Sequence, residues 1–187
     1  MQFYSTNDAN HRVGLAEAIF RGLPADNGLY MPERIDPLPP PFFARLPELS
    51  FAEIGFAVAR RVIGDAVPEE DLRALVADAI NFPAPVVRLD EQRYVLELFH
   101  GPSLAFKDFG ARFMSRLMEY FNQENDRELI ILVATSGDTG GAVAAGFYRT
   151  PGIEVVILYP KGKVSLLQEK QLTTDRKSTR LNSSHWW

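Results

Sequence analysis

The stretch that most restricts the fold of this chain runs from Leu129 to Tyr159. LIILVA (129–134) is a nearly continuous apolar run of strand length, and Val155 to Tyr159 is a second. Between them lie the loop Thr135-Ser-Gly-Asp-Thr-Gly140 and a small-residue segment, Gly141 to Tyr148, that reads as a helix. Two buried strands with a helix between them pair in parallel, because a parallel pair needs a long crossover. The fold class is therefore α/β, with the beginning of a parallel sheet. Two or three parallel strands are too few to close such a domain, so the chain is expected to stop in mid-fold.

The residues ahead of this unit have a different character. Residues 1–80 read as a strand-like start followed by helices and Pro-rich connections, an N-terminal mostly helical domain. Gly14 to Arg21 has a short helical pattern that ends at Gly22 and the turn Asp26-Asn27-Gly28. The run Pro37 to Pro41 reads as a connector, since proline cannot continue a helix. Ser50-Phe-Ala-Glu53 is a capping box, opening a helix that should stop at Gly64. Pro68 and the acidic run Glu69 to Asp71 suit a further helix start, with Leu72, Leu75, Val76, Ala79 and Ile80 on one apolar face. From residue 81 onward, Val86–Leu89 and Arg93–Phe99 read as a hairpin, and a helix follows from about Lys107 to Phe121.

Composition excludes several classes of function. The chain has 187 residues, 46% of them hydrophobic, and a formal charge of −4. That acidity argues against nucleic acid or an anionic membrane as partner. The apolar runs are strand-sized, which excludes a membrane span, and the N-terminus has no secretory pattern. There is no cysteine, and the histidines (His11, His100, His185) are too scattered for a metal cluster. A cytoplasmic location is the default. The sequence carries no mark of an oligomeric state.

Two constellations could carry chemistry. Lys107 sits between Phe106 and Phe109 on a turn that opens a helix. A surface lysine in such a place lays its stem on the rings and keeps its head in water. A desolvated lysine instead becomes a nucleophilic amine able to form a Schiff base with an aldehyde cofactor. The loop Ser136-Gly137-Asp138-Thr139 lies at the carboxyl end of a parallel strand and at a helix N-terminus. Such a loop is either an ordinary cap or a seat for an anion. Neither GxxxxGK[ST] nor GxGxxG is present, which disfavours a nucleotide loop.

Taken together, HGPSLAFKDFG (100–110) and TSGDTGGAVAAGF (135–147) resemble threonine synthase, a pyridoxal-phosphate enzyme family of the tryptophan-synthase-β fold type. GLAEAIFRGLPADNGLYMP (14–32) and ILYPKGKVSLLQEKQLTT (157–174) continue the resemblance, which runs from Met1 to Thr174. It implies that Lys107 is the catalytic lysine holding pyridoxal 5'-phosphate as a Schiff base. It implies that Ser136, Gly137 and Thr139 receive the substrate's α-carboxylate and that Asp138 approaches the cofactor ring. Asp138 stands where distant relatives of the fold carry asparagine. An anion cannot hold a carboxylate, so binding there falls to backbone N–H groups and the hydroxyls of Ser136 and Thr139. Leu166 stands where the family pattern has proline, a departure expected to weaken that helix start slightly.

The reaction so implied converts O-phospho-L-homoserine and water into L-threonine and phosphate. Lys161 and Lys163 follow a strand's carboxyl end and could attract the substrate phosphate, or could be solvated surface lysines. Another pyridoxal-phosphate lyase of the same fold, a dehydratase or a β-replacing synthase, is the alternative, as is a non-catalytic fragment. The family runs to more than twice this length, so the chain by itself is expected to be inactive. Beyond Thr174 the resemblance ends. Asp175 to His185 looks like the translation of a sequencing adapter, and residues 175–187 are expected to be non-native, to pack loosely or not at all, and to carry no site.

Overall fold

The computed structural model describes residues 1–123, 128–135 and 137–173, and the backbone of 178–182. It divides into two units, Met1–Asn81 and Phe82–Trp187.

In the first unit, β1 (Phe3–Ser5), β2 (Arg12–Val13) and, after helix α1 (Leu15–Arg21), β3 (Tyr30–Pro32) form an antiparallel sheet in the order β2-β1-β3. Alternation places Phe3 and Val13 inward. Gly22 ends α1 in a left-handed conformation, φ 69°, open to glycine at no steric cost. Three helices follow: α2 (Pro40–Arg45), α3 (Phe51–Ile63) and α4 (Glu69–Ala79). The Pro37–Pro41 connector is half corrected. Pro40 and Pro41 occupy the first positions of α2, where the missing N–H has no helical partner to lose. The capping box that opens α3 is present in both directions: Glu53 N–H donates to Ser50 Oγ, and Ser50 N–H donates to Glu53 Oε2. Helix α4 buries Leu72, Val76 and Ala79 and packs on α3. Gly55 makes room there for Ile80 and Val76.

In the second unit, β4 (Val86–Arg88) and β5 (Tyr94–Leu96) form the expected hairpin with a shorter second strand. Helix α5 (Lys107–Asn122) precedes β6 (Leu129–Ala134), α6 (Asp138–Gly146), β7 (Ile153–Tyr159), α7 (Leu166–Thr173) and β8 (Ser178–Asn182). Strands β6 and β7 pair in parallel from Leu129↔Ile153 to Ala134↔Leu158. The class is mixed α/β with a small parallel sheet, as the alternation of strand and helix requires.

Three details differ from the sequence reading. Helix α6 begins at Asp138, not Gly141, so half of the expected loop is its first turn. Strand β6 is covered on one face only: Ile130 and Leu132 are 65% and 63% exposed, although an apolar run predicts burial on both sides. Finally, the tail is not loose throughout, since β8 pairs in parallel with β7 from Val155↔Ser178 to Tyr159↔Asn182. An open strand edge offers N–H and C=O groups that any backbone can meet, whatever its side chains.

Helices α5 and α6 approach closely because α6 is built of small residues. A Cβ on Gly146 would lie 3.1 Å from the backbone of Ala111, and the neighbouring Ala142, Val143 and Ala144 are buried. A buried hydroxyl pair, Ser115 Oγ and Thr150 Oγ1 at 3.1 Å, ties α5 to the turn after α6. This packing sets the start of α5 beside the start of α6.

Candidate functional site

Lys107 is the first residue of α5, and the turn ahead of it is held from within. The Asp108 carboxylate is fully buried and accepts from Ser103 N–H at 2.8 Å and Ser103 Oγ at 2.6 Å. Gly101 packs against that carboxylate so closely that no Cβ would fit. Leu104 takes a left-handed conformation, φ 60°, to complete the turn. Lys107 itself is half-buried, with Nζ 4.6 Å from the centre of the Phe106 ring. The two phenylalanines are not equivalent. Phe106 is 59% exposed, whereas Phe109 turns inward to meet Phe82 at 4.7 Å between ring centres. The lysine thus has an apolar neighbourhood on one side and an open one on the other.

The second constellation gathers around Thr135, at the end of β6. Its Oγ1 accepts from Gly137 N–H and from Gly140 N–H, both at 3.1 Å. Those two donors are therefore satisfied internally. Gly141 N–H bonds to Gly137 O. The N–H groups of Asp138 and Thr139 and the Thr139 hydroxyl have no partner among the described residues. Both residues are exposed, at the positive end of α6. Gly137 has φ 157° and ψ −100°, and the Gln168 amide occupies the space its Cβ would need. Ser136 lies outside the described residues.

A single cavity of about 280 Å³ joins the two constellations: Lys107, Ala134, Thr135, Gly137, Asp138, Thr139 and Gln168 line it. Its place at the carboxyl ends of parallel strands is where α/β sheets bind ligands. A larger cavity of 480 Å³, lined by Glu128, Arg149 and Glu154 among others, lies at the opposite, amino ends of β6 and β7. It holds none of the sequence-nominated residues. Lys161 and Lys163 are exposed on the turn after β7 and do not line the smaller cavity.

Four residues of the site are not singled out by the sequence motifs. Thr135 carries no role in the motifs, yet a threonine two residues before a glycine at a strand end is a turn-forming signal. Ser103 and Asp108 form a link over five residues whose purpose shows only once the turn is folded. Gln168 had a legible signal: Ser165-Leu-Leu-Gln168 fits the same capping rule as Ser50-Phe-Ala-Glu53.

Residues 2–80 match the family model described as "Threonine synthase N terminus". Threonine synthase of Escherichia coli (strain K12) is 42% identical over 174 residues, which cover 93% of this chain and 40% of that protein. That of Haemophilus influenzae is 44% identical, with the same coverage of 93% and 40%. Among solved structures, threonine synthase from Escherichia coli superposes with a TM-score of 0.90 at 40% identity, over 98% of this chain and 43% of that one. The PLP-bound threonine synthase from Brucella melitensis gives a TM-score of 0.88 at 33% identity, over 97% and 41%. The chain spans about 40% of the length of the curated relatives it matches. With the fold, the order of its motifs and these likenesses in agreement, the chain belongs, over the span it covers, to the threonine synthase family.

Proposed function

We propose that the intact protein is a pyridoxal-phosphate lyase that converts O-phospho-L-homoserine and water into L-threonine and phosphate, with Lys107 holding the cofactor. The observation that carries this reading is the shared cavity, which Lys107 lines together with the first turn of α6. These residues fit the group. Lys107 supplies the amine that an aldehyde cofactor requires, and Asp138 and Thr139 supply N–H donors, without a partner among the described residues, suited to an anion. Bound there, pyridoxal phosphate supplies an electron sink for the charge left at Cα when its proton departs.

The chain's own residues do the rest. Lys107 Nζ, on a turn fixed by Asp108, takes and returns protons at Cα and Cβ of the substrate. The N–H groups of Asp138 and Thr139, with the Thr139 hydroxyl, receive the α-carboxylate; the Ser136 hydroxyl belongs to the same seat. Gly137 lets the chain turn sharply enough for those donors to face the cavity. Asp138 lies on the cofactor side of the seat and binds no carboxylate itself. A cytoplasmic location goes with this reading.

Substitution of the lysine tests it. In a form extended to the relatives' length, Lys107→Ala abolishes turnover and any borohydride-reducible link to pyridoxal phosphate. Persistence of that link at unchanged stoichiometry would show the lysine assignment to be wrong. Product analysis on O-phospho-L-homoserine separates a threonine synthase from a dehydratase or a β-replacing synthase.

A further inference from the structure

Helix α7 begins with a second reciprocal cap. Gln168 N–H donates to Ser165 Oγ at 3.2 Å, while Ser165 N–H and Ser165 Oγ donate to Gln168 Oε1 at 3.2 and 3.1 Å. With Oε1 committed to the cap, the amide has one orientation, and Nε2 must point the other way. It points at Asp138, donating to Oδ1 at 2.9 Å across thirty residues of sequence. The path runs over Gly137, where any Cβ would collide with the amide. One turn further along α7, Gln171 Nε2 reaches the carbonyl of Ser103, in the turn that carries Lys107, at 3.4 Å. The face of α7 that carries Gln168 and Gln171 thus meets both constellations of the site.

We propose that Gln168 is a positioning residue of this site: its amide, aimed by Ser165, binds Asp138 and holds the first turn of α6 in register with α7. The claim that the turn so held is an anion seat rests on the function proposed above; the latch itself does not. A neutral amide suits the role because Asp138 is an acceptor and the cavity is meant for an anion. A glutamate at the same position would cap α7 equally well. It would set a second carboxylate against Asp138 and leave the Asp138–α7 contact without a donor. The amide is therefore chosen by the site and not by the helix.

Hydrogen–deuterium exchange on the full 187-residue chain tests this without ligand or activity. Gln168→Glu keeps the cap, so exchange in the first turn of α7 stays at the parent level. Exchange of the Gly140 and Gly141 amides rises about three- to tenfold, as loss of one hydrogen bond predicts. Asp138→Asn keeps an acceptor for Nε2 and leaves those amides at the parent rate. The double variant Gln168→Glu with Asp138→Asn restores the bond with its polarity reversed and returns them to that rate. Should Gln168→Glu fail to fold, Asp138→Ala removes the acceptor from the other side and gives the same rise. Unchanged exchange in the single variants that break the bond, or a double variant as fast as Gln168→Glu alone, overturns the latch. Loss of the Lys107 assignment would overturn the seat and leave this measurement standing.

Discussion

The Asp108 carboxylate accepts both the backbone N–H and the hydroxyl of Ser103, and it is fully buried beside the residue that carries the proposed chemistry. The turn from Gly101 to Phe106 has few other internal bonds, so its shape depends on this one acceptor. Asp108→Ala leaves two donors unpaired and should cost about 1–3 kcal/mol of stability, measured by urea unfolding. Asp108→Asn should recover most of that, because the Ser103 hydroxyl can rotate to accept from the amide. An alanine variant as stable as the parent would remove the anchoring role.

Thr135, at the end of β6, and Thr139, in the first turn of α6, should respond in opposite ways. Thr135→Val deprives Gly137 and Gly140 of their shared acceptor and should destabilise the chain by roughly 1–3 kcal/mol. Thr139→Val touches no described partner and should change stability by no more than about 0.5 kcal/mol. In an active, extended form the second substitution should raise KM for O-phospho-L-homoserine while cofactor attachment survives. Thermal unfolding and steady-state kinetics of the pair decide the matter.

Gly146 measures how tightly α5 and α6 meet. The nearest atoms to an added Cβ are backbone atoms of Ala111 and Arg112, at 3.1 to 3.2 Å, and backbone does not rotate aside. Gly146→Val should therefore force the helices apart at a cost of about 1–3 kcal/mol, read from denaturant midpoints. A neutral result would mean the two helices slide freely, contrary to the packing described.

Acid should weaken the first unit in a defined window. The Ser50 hydroxyl and then the Ser50 N–H hold Glu53 below its ordinary value of 4.5, and the Ser5 hydroxyl, followed by the Gly28 N–H, holds Asp26 below 3.8. A carboxyl depressed by folding stabilises above its unfolded pKa, and that stability is lost as pH falls through its folded pKa. Melting temperature should thus be flat above the ordinary values and fall progressively below them. Because both carboxylates face solvent, the slope should be shallow. Ser50→Ala, which removes the largest cause acting on Glu53, should make it shallower still.

What could be read from the chain alone was whatever depends on neighbours within one or two turns. The Ser50–Glu53 box, the stop of α1 at Gly22, the apolar face of α4 and the head of α5 at Lys107 are local matters of dihedral preference and orphan N–H groups. The parallel pairing of β6 and β7 follows from the strand–helix–strand alternation between them. Tertiary structure decided how those parts are used. It committed Thr135 Oγ1 to two N–H groups that the sequence left open to a ligand. It brought Lys107 and Asp138 to one cavity and set Gln168 against Asp138. The reason is one of range. A cap is formed by atoms a few residues apart, whereas a hydrogen bond from Gln168 to Asp138 exists only after α6, β7 and α7 have packed, and no local preference encodes that distance.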